Sequence, residues 1–226
     1  MDEALQALAQ QGFTRDRLFL QTKFTPTNGQ DHRTPYDASA TLTTQVSQSF
    51  GSSLVHLHTD YLDSYVLHGP YQRQGLGASD WEVWAAIEGL YQSGKTKMIG
   101  ISNVTAEQLT QLCARAAVKP MMVQNRCYAA LGWDKEVREI CRAHGIIYQG
   151  FSLLTANQGI FAEPAIRAIA QRLGAGLAQV VFRFAMQVGM LPLTGTTNPQ
   201  HMKEDLQAEQ LALTAEDMQT IETIGM

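Results

Sequence analysis

Six apolar runs of strand length recur along this chain, at residues 18–20, 61–67, 97–101, 121–123, 146–151 and 190–193, with helical patterns between them. Such alternation predicts parallel strands, because each strand must be carried back to the same end by a crossover helix. The runs share an ending. Each leads to polar residues able to do chemistry: Lys23, His68, Ser102 with Asn103, Gln124 with Asn125, Ser152, and Thr194 with Gly195 and Thr196. In an array of strands and helices these positions gather at the C-terminal ends of the strands, where such folds keep their active sites. The chain therefore reads as an enzyme.

The helical segments carry readable ends. Asp80 is placed to cap a stretch holding Trp81, Val83, Trp84, Ile87 and Leu90 that closes before Gly94. Thr105 with Gln108 has the spacing of a capping box, Asp134 starts a helix that stops before Gly145, and Thr214 caps the last one. Two architectures fit the alternation, a closed eight-fold barrel and an open doubly wound sheet. The open sheet is marked by GxGxxG after its first strand, a motif absent here. Polar endings on nearly all the strands, rather than at one switch point, favour the barrel.

A closed barrel of this class needs eight strand-helix units and about 250 residues, whereas about six units are legible in these 226 residues. The expectation is an α/β fold, a (β/α)8 TIM barrel that is incomplete, forming a single domain over residues 1–226. The shortfall falls at the front: residues 1–12 read as a helix with no strand before it, as though the chain began partway through its second unit.

Composition narrows the function. Hydrophobic residues make up 45% of the chain and charged residues 17%, ample for a globular core. A net charge of -4 without a basic run argues against a nucleic-acid partner, whose phosphates require clustered Lys and Arg. The longest apolar stretch, residues 178–193, is broken by Arg183 and Gln187, which predicts no membrane span. Cys113, Cys127 and Cys141 are odd in number and show no CxxC pairing, as expected of reduced, buried thiols in a cytoplasmic protein. Met1 opens directly into the helical pattern of Ala4, Leu5 and Leu8, without a signal-peptide pattern.

Lys23 and His68 stand out chemically. An ammonium at the end of an apolar strand costs several kcal/mol unless a counter-charge or hydrogen bonds meet it, so Lys23 implies a polar site. His68 closes the buried run beginning at Tyr61. His56 and His58 form an HxH pair, but they precede that strand and are expected at the opposite, non-catalytic end; no metal site is expected. Thr194, Gly195, Thr196, Thr197, Asn198 and Pro199 suggest an anion site: Asn198 caps a short helix with Pro199 in its first turn, leaving free N–H groups and a positive dipole end.

These segments resemble the aldo-keto reductase family over residues 15–206. The resemblance rests on Phe19, Leu20, Gln21, Thr22 and Lys23; on residues 61–70, ending His68, Gly69 and Pro70; on Gly94 and Lys95 followed by Ile99, Gly100, Ile101, Ser102 and Asn103; on Val123, Gln124 and Asn125; and on residues 192–206. It implies reduction of an aldehyde, ketone or sugar carbonyl by a nicotinamide cofactor. Lys23 and His68 match the family's catalytic lysine and histidine. The family's tyrosine proton donor and its aspartate lie upstream of every segment matched here. Tyr36, Tyr61, Tyr65, Tyr71, Tyr128 and Tyr148 all fall elsewhere. Without the donor, a loss on the order of 10²- to 10⁴-fold is expected, the usual worth of general acid catalysis.

For the cofactor, the resemblance implies that Ser102, Asn103 and Gln124 hold the carboxamide and Phe151 stacks on the nicotinamide. Ser152 and Leu154 wall the dinucleotide channel. Thr194, Gly195, Thr196, Thr197 and His201 lie along the phosphate stretch, and Glu204 and Asp205 match positions that contact adenine. Leu193, Thr197 and His201 stand where relatives often carry a cation for the 2′-phosphate; NADP(H) is still expected ahead of NAD(H). Tyr71, Gly75, Leu76 and Gly77 in the loop from Gly69 to Asp80, with Phe24 and Trp133, are expected to shape the substrate pocket. Two other readings compete: a non-catalytic nucleotide-binding or interaction protein derived from the same fold, and an unrelated barrel binding a phosphorylated metabolite through residues 194–199. Oligomeric state is not legible.

Overall fold

The first strand begins three residues later than its apolar run. The expected strand runs over residues 18–23, yet Leu18 closes a 3-10 turn at Arg15–Arg17, Phe19 is 55% exposed, and β1 spans Gln21–Phe24, so Lys23 lies in the strand and only the strand's start is displaced. Side chains explain the shift. The Leu20 N–H donates to the Asp63 carboxylate, and the carbonyls of Leu18 and Leu20 accept from Arg15 and from the Asp63 and Ser64 N–H groups. With those groups engaged, the regular ladder opens at Gln21 opposite Ser64.

The computed structural model describes residues 2–225. Met1, and with it the expected opening without a signal peptide, lies outside them, as does Met226. The chain divides into two compact units, Met1–Val123 and Gln124–Met226. The first holds α1 (Asp2–Gln10), β1, α2 (Leu42–Leu57), β2 (Leu62–Leu67), α3 (Ala78–Gln92), β3 (Thr96–Ser102) and α4 (Ala106–Arg115). Its three strands are parallel neighbours in chain order. β4 (Met122–Arg126) opens at the boundary. The second unit continues with α5 (Lys135–His144), β5 (Ile147–Phe151), α6 (Pro164–Leu173), α7 (Leu177–Gln187), β6 (Met190–Pro192), α8 (Pro199–Gln207) and α9 (Ala215–Thr223). β5 and β6 pair in parallel. Six strands, each followed by a helix, are therefore present among the described residues, as expected of an α/β strand-helix array.

Most helix ends follow local chemistry. Thr105 and Gln108 form the capping box of α4, Thr214 accepts the Asp217 N–H at the start of α9, and Asn198 accepts the Gln200 N–H at the start of α8. The cap expected at Asp80 needs correction, and Asp134 stands at its helix start without capping it. α3 begins at Ala78, so Asp80 is not its cap; from the first turn its carboxylate takes the N–H groups of Gly77 and Tyr71 and ties the preceding loop to the helix. Asp134 does precede α5, but it makes no capping bond: its backbone is left-handed and its carboxylate faces inward to Asn125 and Tyr148.

Each unit has its own apolar packing. In the first, Phe50 of α2 meets Tyr65 of β2 edge-to-face at 5.0 Å, beside the fully buried Phe24 and Val46. In the second, Trp133 lies 5.1 Å from Phe184 and donates its indole N–H to the Ile221 carbonyl. Each such buried side chain contributes about 1.5–3 kcal/mol. Cys113, Cys127 and Cys141 are buried and, among the described residues, outside any disulfide. Among the described residues no helix is long and apolar enough to cross a membrane.

Candidate active site

In the first unit the parallel register does the positioning. Lys23 stands opposite Val66 and Phe24 opposite Leu67. Side chains alternate along a strand, so Lys23 and Thr25 share one face with Val66 and His68, while Phe24 points to the other face. His68 follows directly on β2 and is held there by its N–H, which donates to the Phe24 carbonyl at 2.8 Å. Asn103, just past β3, is left-handed (φ 52°) and donates from Nδ2 to the His68 carbonyl at 2.7 Å and to Ser102 Oγ at 3.3 Å. One hydrogen-bonded chain thus links the ends of the three strands. It brings His68, Ser102 and Asn103 together.

Lys23 and His68 both line a cleft of about 520 Å³ with Thr25, Gly29, Gln30, Asp31, Arg33, Pro35, Ser49, Ser53 and His56. The loop beyond β1 forms one wall, and the Thr25 carbonyl anchors it by accepting from Tyr36 Oη and Gln30 Nε2. Asp31 is engaged by Arg33. Among the described residues Lys23 has neither an ion pair nor a hydrogen bond, and burial holds its ammonium below the usual lysine range. His68 is lowered too, by burial and then by the charge of Lys23. A neutral imidazole beside a solitary ammonium results, able to donate an N–H to a carbonyl oxygen.

Several placements depart from expectation. His56 is not remote from the site: α2 runs alongside β1, where Thr22 Oγ1 meets Ser53 Oγ at 3.2 Å, and its last turn carries His56 into the Lys23 cleft. His58, left-handed at the end of α2, lines a separate hollow against α1. Among the described residues no three His, Cys, Asp or Glu side chains are grouped to hold a metal. Phe24 and Trp133 do not shape a pocket, because both are fully buried core residues. Tyr71 lies in the Gly69–Asp80 loop with its hydroxyl buried and unpartnered; burial pushes its pKa up to about 12. Sequence reasoning missed Thr25, Gln30, Asp31 and Arg33. Thr25 was findable, two residues from Lys23 on the same face, whereas the others reach the cleft only through the path of the loop.

In the second unit, a hollow of about 250 Å³ gathers Ser152, Leu154, Thr194 and Gly195 with Leu153, Thr155, Phe182 and Leu193. Ser152 has a left-handed backbone (φ 57°), which turns the chain sharply after β5. A Cβ on Gly195 would meet nothing within 4 Å, so the wall is open there. Thr194 Oγ1 donates to Asp205 at 3.0 Å and Thr196 Oγ1 accepts the Asn198 N–H at 3.1 Å, fixing the strand end against α8. α8 opens on Pro199, its Gln200 N–H is taken by the Asn198 side chain and its Met202 N–H by the Asn198 carbonyl, and its first turn carries no acidic residue against the positive end of the helix. Thr197 and His201 are exposed beside it, and Glu204 is tied to Gln179 through its carbonyl and to Gln200 through its carboxylate.

Gln124 and Phe151 do not line that hollow. Gln124 Nε2 donates to Gln149 Oε1 at 2.8 Å in the buried strand layer, and the half-buried Phe151 ring carries the Arg126 guanidinium 5.6 Å above it. The hollow is open at Gly195 and lies beside the start of α8, with the Asp205 carboxylate held against Thr194 at its wall.

Residues 2–225 match the model of the Aldo/keto reductase family. An uncharacterized oxidoreductase of Bacillus subtilis (strain 168) is 32% identical over 78% of this chain, and the glyoxal reductase of the same organism is 30% identical over 78%. The chain spans 61% and 62% of the lengths of those two proteins. The NADPH-dependent alpha-keto amide reductase of Saccharomyces cerevisiae is 30% identical over 77% of this chain and is spanned to 59% of its length. Among solved structures, an aldo/keto reductase from Brucella melitensis shares the fold at a TM-score of 0.81, with 23% identity over 98% of this chain and 79% of its own. An aldo-keto reductase in complex with NADPH does so at 0.83, with 22% identity over 100% of this chain and 70% of its own.

Proposed function

We propose, on the premise that this chain belongs to the aldo/keto reductase family, that it serves the NAD(P)H-dependent reduction of small aldehyde, ketone or sugar carbonyls. The observation that carries the proposal is the pairing of Lys23 and His68 on one face of adjacent parallel strands, in one cleft. His68, kept neutral by burial and by the neighbouring ammonium, orients the carbonyl and donates an N–H to its oxygen. Lys23 supplies positive charge as negative charge grows on that oxygen.

When bound, the nicotinamide supplies the hydride. Ser102, Asn103 and Gln124 would hold its carboxamide and Phe151 its ring face. Ser152, Leu154, Thr194, Gly195, Thr196, Thr197 and the start of α8 would hold the phosphates, with Glu204 and Asp205 toward adenine. NADP(H) is favoured over NAD(H), in line with the named cofactor of the yeast relative and the NADPH complex of the structural one. His201, exposed on α8, is the position from which a side chain would meet a 2′-phosphate. His201→Arg is expected to tighten NADPH relative to NADH by about tenfold, roughly 1.4 kcal/mol, because a guanidinium grips phosphate through paired N–H groups. The three buried cysteines, none in a disulfide among the described residues, support a cytoplasmic setting.

One observation favours the second reading, nucleotide binding with little turnover: among the described residues no phenol lines the Lys23 cleft. Tyr36 Oη is spent on the Thr25 carbonyl, and Tyr71 is buried with its pKa raised. We therefore expect these 226 residues to bind NADPH yet to reduce an aldehyde about 10²- to 10⁴-fold below a reductase that has its proton donor. Quenching of tryptophan fluorescence by NADPH, followed by a steady-state assay with glyoxal, tests both statements. Soluble, folded chain that binds neither dinucleotide overturns the cofactor assignment. Rapid turnover overturns the impairment.

A further inference from the structure

We propose that Arg126 sets the cofactor's redox preference: its charge weakens the oxidised, cationic nicotinamide relative to the reduced, neutral one. The inference rests on the reading of Phe151 as the ring that stacks on the nicotinamide. β4 and β5 are neighbours in the sheet, and the Cys127 N–H donates to the Phe151 carbonyl at 3.1 Å, which holds the ends of the two strands side by side. Side chains two residues apart on a strand share a face. The Gln124 amide bonds Gln149 from one strand to the other, so Arg126 and Phe151, each two residues further on, stand together at the end of that same face. Arg126 is exposed, Phe151 is half-buried, and the guanidinium carbon lies 5.6 Å from the ring centroid. Stacking contact would need about 3.5–4 Å, so the cation flanks the ring without covering it.

The charge of Arg126 is unspent. Among the described residues no carboxylate pairs with it and its side chain makes no hydrogen bond. A guanidinium stays protonated throughout the working pH range of a protein. An aromatic face attracts cations through its quadrupole, so Phe151 alone would favour NADP+, whose nicotinamide carries a positive charge that NADPH lacks. Arg126 already draws on that attraction and sets a like charge against the oxidised ring. The neutral reduced ring meets no such repulsion. Both dinucleotides present the same phosphates and adenosine, so the effect falls on the ratio of their affinities. A like charge at one side chain's distance, partly screened by solvent, shifts such a ratio by about three- to tenfold. Carbonyl reduction consumes NADPH and leaves NADP+, so a residue that loosens the oxidised form hastens its departure and limits product inhibition.

The test is calorimetric titration of the whole chain with NADPH and, separately, with NADP+. The quantity read is the Kd for NADP+ divided by the Kd for NADPH. Arg126→Gln is expected to lower that ratio by about three- to tenfold, whereas Arg126→Lys, which keeps the charge, is expected to hold it near the wild-type value. In the wild type the ratio is expected to fall between about 0.1 M and about 1 M salt, as the screening length shortens from about 10 Å to about 3 Å. A ratio unmoved by Arg126→Gln overturns the proposal, including the case in which both dinucleotides weaken equally, which would make Arg126 a ligand of the phosphates. A fall with Arg126→Lys as large as with Arg126→Gln overturns it too, because shape and not charge would then be at work. Should the variants fail to fold, a wild-type ratio indifferent to salt overturns it by itself. Folded chain that binds neither dinucleotide removes the reading of Phe151 and this proposal with it, whereas binding of both with an unmoved ratio removes the proposal alone.

Discussion

At the residue scale, Lys23 and His68 were legible because a strand's two-residue alternation and a parallel register are simple rules, and both held. Asp134 was not. Its sequence context is that of a helix start, yet Gly132, Trp133 and Asp134 are all left-handed, with φ of 65°, 56° and 56°. That turn swings the carboxylate inward, where it accepts from Asn125 Nδ2 and Tyr148 Oη at 2.8 Å each. No local pattern encodes it, because the partners come from two other strands. Burial raises the Asp134 carboxyl despite those two bonds. A carboxyl raised in the folded state gives stability that is complete below its unfolded pKa and is lost as pH climbs through the folded value. The wild type is therefore expected to lose stability relative to Asp134→Asn as pH rises from about 3 toward 7. Urea unfolding of both proteins at stepped pH checks the sign; a constant difference, or one that grows in favour of the wild type, would refute it.

At the element scale, helix starts were read well where a cap bonds its own helix, as at Thr105, Asn198 and Thr214. One was misread where the polar residue serves something farther away, as at Asp80. The start of β1 was misplaced for the same reason: its apolar run was visible, but Arg15 and Asp63 take up the backbone groups that a ladder would use. Gln108 shows how much one cap can carry. Its Oε1 accepts the Thr105 N–H at 3.0 Å, and its Nε2 donates to the carbonyls of Gln72 and Gly75, both at 2.9 Å. Gln108→Ala should cost about 1–3 kcal/mol, since it strips a cap and leaves part-buried carbonyls unpaired. It should also free the loop at residues 69–77 for proteolysis. Thr105→Ala, losing the cap alone, should cost only about 1 kcal/mol and leave the loop resistant. In β3, a Cβ on Gly100 would come within 2.5 Å of the Met122 carbonyl oxygen. Gly100→Ala is thus expected to lose about 1–3 kcal/mol in chemical denaturation through backbone displacement, and unchanged stability would contradict that packing.

At the scale of the whole molecule, alternation of period and polar strand endings carried the fold class, because each rests on repetition over many residues. The count of units carried less: the sequence shows six, and six strands are described, while the matched relatives extend well beyond the span aligned to this chain. How the chain behaves as a thermodynamic body lies beyond any local pattern. A single domain over residues 1–226 predicts one cooperative thermal transition, with near-UV and far-UV circular dichroism coinciding. Two separated transitions, matching the two compact units, would reject it. Cofactor sharpens the experiment, since a ligand that binds only the folded state at a hundred times its dissociation constant adds about 2.7 kcal/mol. For a chain of this length that corresponds to a rise of roughly 5–11 °C in Tm. NADPH should produce that rise, NADH at equal concentration should produce less, and an absence of any shift with either would leave the family fold without its dinucleotide.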